Sequence, residues 1–524
     1  MAAAQRETAS GPAGRGRVLV GLMLTTSLAA MDTTIVATAI PAIVRDLGGF
    51  ALFTWVFSIY VLVQAVTIPI DGKLADLYGR KPVLIVGTLV FLCGSVLCGV
   101  AWSMPILIAF RALQGIGAGA IQATTTTVAG DLFTIEERGR VQGWLSSVWG
   151  IAAVVGPAIG GFLAEYASWR WIFYINVPIG AAALIMIGTS LHEQVTRRRH
   201  RIDLAGAVLL VVGAGALIFG LLEGGVDWPW LSAPSVGVFA LSLVALLAFT
   251  WQERRAAEPM LPPWVFGRRL LVGANAAAAT IGLLVIGLTT FLPTYAQEVL
   301  GTGAVVAGFV LGAMSISWPI SSAFSARFYL RIGFRDTALV GAAICLASAA
   351  GFVLLPSSAS VWPVAVASFV MGAGLGLLST AIIVGIQSVV GWERRGVITG
   401  ANMFTRYLGQ AIGAAVFGSI ANATLARQLR HAPAALQGQL PTSVNAASDV
   451  LDGADRVSPA VAAYVRHGLY LATHNVFLAL LLIAIAGLLI LAATPRHFAK
   501  LEFGEERTPT KAPAEPVAAR GGRR

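Results

Sequence analysis

Long apolar runs, broken by short polar connectors, recur along the whole chain. A helix needs about 20 such residues to cross the ~30 Å hydrocarbon layer of a bilayer. Fourteen runs of about that length lie at approximately 18–40, 52–70, 83–102, 104–128, 141–164, 171–190, 204–224, 235–252, 272–294, 303–325, 338–356, 361–388, 397–421 and 473–493. Two divisions rest on very short connectors, at Met104–Pro105 and Ser360–Pro363, so twelve or thirteen spans are conceivable. The pattern predicts an all-α integral membrane protein. Residues 1–16 and 498–524 are rich in Ala, Gly, Pro and charge without apolar periodicity, and are expected to be disordered cytoplasmic tails. The one long connector, 422–471, mixes Ala-rich stretches with turn residues and is expected to be a partly helical external loop.

Composition agrees: 57% of residues are hydrophobic and 12% charged, against roughly 25% charged in soluble domains. The first apolar run is too long for a signal-peptide core and contains Asp32, so it is expected to remain as an anchor. Cys93, Cys98 and Cys345 all fall inside spans, which argues against a disulfide or a zinc site. No metal is expected.

The net charge of +11 does not indicate nucleic acid. With the N-terminus inside, Lys73, Arg80, Lys81, Arg138, Arg140, Arg254, Arg255, Arg327, Arg331, Arg335, Arg394, Arg395 and several more basic residues fall in short cytoplasmic connectors, whereas the short external ones hold only Arg45 and Arg170. This positive-inside asymmetry predicts that both termini are cytoplasmic. The basic residues could also contact anionic membrane lipids.

Charge inside a span is the sharpest functional signal, because it costs at least ~2.5–3.5 kcal/mol at mid-bilayer. Asp32 lies 15 residues beyond Arg17 on an ascending helix, about 22 Å at 1.5 Å per residue. Arg111 lies 7 residues after Met104 on a descending helix, roughly 10 Å from the external surface. The two depths agree. Facing a common cavity they could exchange protons; the alternative is a structural pair that merely neutralises two buried charges. Arg406, about 14 Å into the thirteenth span by helical rise, has no evident intramembrane carboxylate, and a structural role is the expectation. Asp71, Glu165, Glu223 and Asp227 are placed at the rims, where water makes charge cheap. Tyr60, Gln64, Gln114, Asn275 and Asn402, together with Arg406, are candidates to line a cavity. No phosphate-binding glycine loop with its Lys-Ser/Thr is present, so direct ATP drive is unsupported and no cofactor is expected.

Between the second and third spans stands Gly72-Lys73-Leu74-Ala75-Asp76-Leu77-Tyr78-Gly79-Arg80-Lys81-Pro82, which resembles the signature loop of the major facilitator superfamily. A degraded copy, Ala326 to Arg335, keeps Gly333 but has Leu330 at the acidic position. Two copies imply internal duplication. Arg111 to Gly119 is similar to the superfamily's arginine motif, and Gly150 with Gly156, Pro157, Gly160 and Gly161 to its antiporter motif. Met31 to Val36 and Trp169 to Pro178 resemble the fourteen-helix drug:proton antiporter branch.

The resemblance implies two six-helix bundles, 17–191 and 271–497, around a central cavity, with two extra helices and linkers in 192–270. It further implies a conformational latch of Gly72, Asp76, Gly79 and Arg80 with Arg138 or Arg140, and a proton-coupling role for Asp32 with Arg111. The function implied is proton-coupled export of small lipophilic drugs or antibiotics, cationic or neutral, across the plasma (inner) membrane by a monomer, not an enzyme. An exporter of a lipid or endogenous metabolite is the runner-up. A non-transporting sensor is disfavoured, because no sizeable soluble domain is present.

Overall fold

The computed structural model describes residues 12–48, 52–53, 55–193, 203–224, 228–256, 258–433, 436, 458–496 and 498. Among the described residues fourteen helices are long and apolar enough to cross a membrane, and apart from one isolated bridge, Gly224 to Trp228, no strand pairing occurs. In chain order they are α1 (Pro12–Leu47), α2 (Trp55–Tyr78), α3 (Arg80–Gly99), α4 (Met104–Leu132), α5 (Ile135–Tyr166), α6 (Asn176–Ser190, preceded by the turn Trp171–Tyr174), α7 (Leu204–Glu223), α8 (Ala233–Glu253), α9 (Arg269–Thr294), α10 (Ala304–Ile332), α11 (Phe334–Val353), α12 (Val361–Ser388), α13 (Arg395–Arg430) and α14 (Pro459–Ala492).

The short connectors at Met104 and Ser360 do divide separate helices. Several boundaries depart from expectation, α2 ending at Tyr78 and α10 at Ile332 among them. α1 begins at Pro12, inside the segment expected to be a tail. α13 runs to Arg430 and α14 starts at Pro459, so helix extends into both ends of the expected external loop. Ala- and Leu-rich sequence continues helix as readily outside the bilayer as within it, so apolarity marks the membrane and not the helix ends. The middle of that loop, 437–457, and the tail from 499 lie outside the described residues.

The helices pair by one scheme used twice. In the first half α1 packs on α5 and α6, α2 on α4, and α3 on α4 and α6. In the second, α9 packs on α13 and α14, α10 on α12, and α11 on α12 and α14. Across the halves α2 meets α13 and α5 meets α10, so the second helix of each half touches the fifth of the other. α7 and α8 pair with each other, and α7 lies against both α2 and α13. The duplicated turns correspond too: Gly79 before α3 has φ +99° and Gly333 before α11 has φ +86°, a conformation that glycine adopts readily and other L-residues rarely do.

Burial separates the halves further. The core of the second half continues through α7 into Ala65, Val66 and Ile68 of α2. The first half instead has three clusters, one with Tyr60 and Phe91, one with Val56 and Phe173 and a small one of Ala30, Val148 and Ala152. Arg111 touches both Val56 and Tyr60 and so sits at the division.

Candidate functional site

Three polar assemblies lie within the helical mass. The first joins α1, α2 and α4. Arg111 Nη1 donates to Asp32 Oδ2 at 2.5 Å and to Gln114 Oε1 at 2.8 Å, its Nε donates to the Val56 carbonyl at 3.0 Å, and Gln114 Nε2 donates to Asp32 Oδ1 at 2.8 Å. The guanidinium lies 4.2 Å over the Tyr60 ring. Arg111 and Gln114 are one turn apart on α4, which is why both reach one carboxylate. The side chains of Asp32 and Arg111 are both 0% exposed. A buried ion pair persists only where further hydrogen bonds satisfy it, and here Gln114 and Val56 supply them. Satisfaction is incomplete: among the described residues Arg111 Nη2, the Tyr60 hydroxyl and Gln64 Nε2 are buried without a partner.

The second assembly joins the halves at the end of the molecule that carries the duplicated turns. Asp76, at the end of α2, accepts from Arg80 Nη2 at 2.8 Å, from the Gly396 amide at 2.9 Å and from the Val397 amide at 2.8 Å. Those amides belong to the first turn of α13, whose unpaired N–H groups and positive dipole end favour a carboxylate. Gly72 and Gly396 let the two helices come this close, since a Cβ on Gly72 would lie 3.1 Å from the Gly396 carbonyl carbon. Arg80 also donates to the Trp392 carbonyl at 2.5 Å and to Asp131 at 2.9 Å, and stacks 3.5 Å over the Trp392 ring. Asp131 in turn accepts from Arg395 at 2.8 Å. Gln387 of α12 donates to the Thr126 carbonyl at 3.2 Å, and Tyr329 of α10 donates to the Ile135 carbonyl at the start of α5.

Two of the arginines expected here behave otherwise. Arg138 turns back to the Phe133 and Gly130 carbonyls, and Arg140 is exposed. Arg138 shares the Gly130 carbonyl with Arg395, and it is Arg395 and Asp131 that join the ion-pair network of Arg80. Nothing local in sequence marks these two, because the partners are more than 260 positions apart and Arg395 also fits the positive-inside pattern.

The third assembly is a small central cavity of about 80 Å³, partly open to solvent, between α4 and α5 on one side and α9, α10, α12 and α13 on the other. Thr126, Gln142, Ser146, Trp318, Asn402 and Arg406 line it along with apolar side chains. Of the expected cavity residues, Asn402 and Arg406 line it, whereas Tyr60, Gln64, Gln114 and Asn275 do not. Asn275 instead accepts from Asn402 at 3.3 Å. Gln142 and Ser146 are additions that no motif singled out.

The glycines of α5 serve two neighbours. Gly156 and Gly160 lie against Thr34 and Ile35 of α1, just past Asp32, while Gly150 faces the Ser315 carbonyl of α10. Pro157 is exposed and Gly161 borders open space. At the far end of α1 Asp46 accepts from Arg170 at 2.5 Å and from Trp169 at 3.0 Å; the Arg170 bond, then that of Trp169, holds its carboxyl below the usual range.

Asp71 corrects the rim assignment. It is buried on α2, 7% exposed, facing Gly119 of α4 beside Thr67, and its Oδ2 has no hydrogen-bond partner among the described residues. Counting from the connector placed it in water; the α2–α4 contact covers it.

The profile of the Major Facilitator Superfamily matches residues 22–414. The chain belongs to that superfamily. This major facilitator is 34% identical over 86% of its length to the multidrug transporter protein MdtP of Bacillus subtilis, of which it covers 86%. Multidrug resistance protein 3 of the same species is 37% identical, over 80% of the chain and 82% of the relative. An efflux pump of Gibberella moniliformis, FUS6, is 31% identical over 79% and 75%. Among solved structures the human organic anion transporter MFSD10 (TETRAN) superposes with a TM-score of 0.59 at 15% identity, over 90% of this chain and 100% of that one, a likeness of fold alone. The protein is therefore a multi-pass membrane transporter and not an enzyme.

Proposed function

We propose that this transporter exports small lipophilic compounds across the plasma membrane in exchange for protons, working as a monomer with both termini in the cytoplasm. The names of its relatives, multidrug transporters and efflux pumps, support export. The observation that carries proton coupling is the sealed Asp32–Arg111–Gln114 cluster with its unpartnered Arg111 Nη2 and Tyr60 hydroxyl. Protonating Asp32 removes the charge that balances Arg111 and one of its acceptors, and the two idle groups offer alternative pairing. A proton thus changes the packing of α1 against α4. Gly156 and Gly160 then relay that change to α5, which contacts the other half. Alternating access follows if the halves part where Asp76 holds α13 and close at the opposite end.

Cationic cargo needs a carboxylate facing the cavity. Asp32 is walled off in this conformation and Arg406 is what faces it, so the cavity is better suited to neutral cargo than to cations. The coupling is tested with Asp32→Asn in proteoliposomes. Downhill counterflow of a lipophilic substrate should persist, while transport driven by an imposed pH gradient should be lost. Gradient-driven transport by the variant would overturn the assignment. Orientation is tested separately: a reporter fused after Arg496 should report cytoplasmic, and one near His431 external.

A further inference from the structure

Arg406 is the charged residue among the cavity's lining, and no carboxylate stands beside it there. It lies 11 residues past Arg395, where α13 begins, about 16 Å along the helix and so close to mid-membrane. Its side chain shares a hydrogen bond with Tyr407, and a cation with no carboxylate at that depth is expensive and points to a functional role. Among the described residues Arg406 has no ion-pair partner; its guanidinium centre is 5.8 Å from the ring of Tyr407. It is half-buried and lines the cavity.

The surroundings complete a receptor. Thr126, Gln142 and Ser146 bring neutral hydrogen-bonding groups from the first half, and Asn402 another from the second. Trp318, Ile281, Ile383 and Met403 supply apolar wall. A planar guanidinium matches a carboxylate in bidentate geometry, the pairing that gives such sites both strength and direction.

We propose that Arg406 is the recognition group of this cavity and that the transporter's cargo includes lipophilic monoanions, small amphipathic molecules with one carboxylate. The assignment deepens the export reading and rests on it for direction of transport. Binding itself requires no gradient, so the two can fail independently. The site also spans both halves, so that a carboxylate held by Arg406, with its apolar body against Trp318 and Ile383 and its polar edge toward Thr126, Gln142 and Ser146, touches the two bodies whose relative motion moves it.

The test is equilibrium binding to the purified full chain in neutral detergent, read by tryptophan fluorescence. The probes share one skeleton: 2-naphthylacetate, its methyl ester and 2-(2-naphthyl)ethylammonium. The acetate should bind tightest and the ammonium weakest. Arg406→Gln should weaken the acetate about tenfold or more, the scale of a lost charge-assisted hydrogen bond, and the ester no more than about threefold. Arg406→Lys should recover part of the loss. The wild-type ranking needs no variant to fold. Ammonium binding as tight as acetate, no acetate binding, or equal weakening of all three probes in Arg406→Gln would each overturn the proposal, and the Asp32→Asn transport result would stand regardless.

Discussion

Among single residues, Asp71 and Asp32 show what burial does to a carboxylate. Both are covered, at 7% and 2% exposure, yet Asp32 has Arg111 and Gln114 as partners while Asp71 keeps an oxygen with none. An unsatisfied buried polar atom costs roughly 1–3 kcal/mol. Asp71→Asn keeps the size and removes the charge, so it should raise the melting temperature in detergent and leave substrate transport intact. Lower thermal stability of that variant would mean that the carboxylate has a partner the helices do not supply. Helical rise was enough to put Asp32 and Arg111 at one level, although α1 begins at Pro12 and not at Arg17 and Met104 follows a very short connector. It could not say that Thr67 and Gly119 enclose Asp71, since a residue's depth along its own helix does not reveal which neighbouring helix covers it.

For whole elements, the informative contact is between the end of α2 and the start of α13. One carboxylate accepts three hydrogen bonds there, two of them from the backbone of the opposite half. The corresponding place in the second half holds Leu330 instead of Asp76 and Phe334 instead of Arg80, and Tyr329 and Phe334 stack with centroids 5.0 Å apart. Closure at this face is therefore polar on one side of the pseudo-twofold and largely aromatic on the other. Asp76→Asn leaves one acceptor where two oxygens served and turns an NH2 group toward amide donors, a loss on the order of 3–5 kcal/mol for a broken buried pair. Membrane abundance should hold while transport nearly disappears. Spin labels on the exposed positions Glu136 and Arg331 should report a longer distance between halves; an unchanged distance with normal efflux would mean that the Asp76 contact does not hold the halves together. The signature loop, its positive-φ glycine and the duplication were legible in the chain because they are local patterns. The partners of the latch were not, because a helix's first amides have no side-chain signature and Gly396 looks like any other small residue.

At the scale of the molecule, coupling one proton to one cargo fixes how much charge crosses the membrane in each cycle. A proton entering as a monovalent cation leaves moves no net charge. A neutral cargo moves one positive charge inward, and a monoanion moves two, one carried by the proton and one by the departing negative charge. The membrane potential is worth ~2.3 kcal/mol per charge per 100 mV, so twice that, ~4.6 kcal/mol, favours anion export at 100 mV. A pH gradient adds about 1.36 kcal/mol per unit for one proton. The potential thus dominates for the anion and vanishes from the balance for the cation. In energised everted vesicles, collapsing the potential with valinomycin and potassium should slow 2-naphthylacetate transport more than nigericin does, and more than it slows the methyl ester. The reverse order for the acetate, with nigericin the stronger inhibitor, would mean electroneutral exchange. It would exclude a one-proton, one-anion cycle through a cavity whose fixed charge is Arg406.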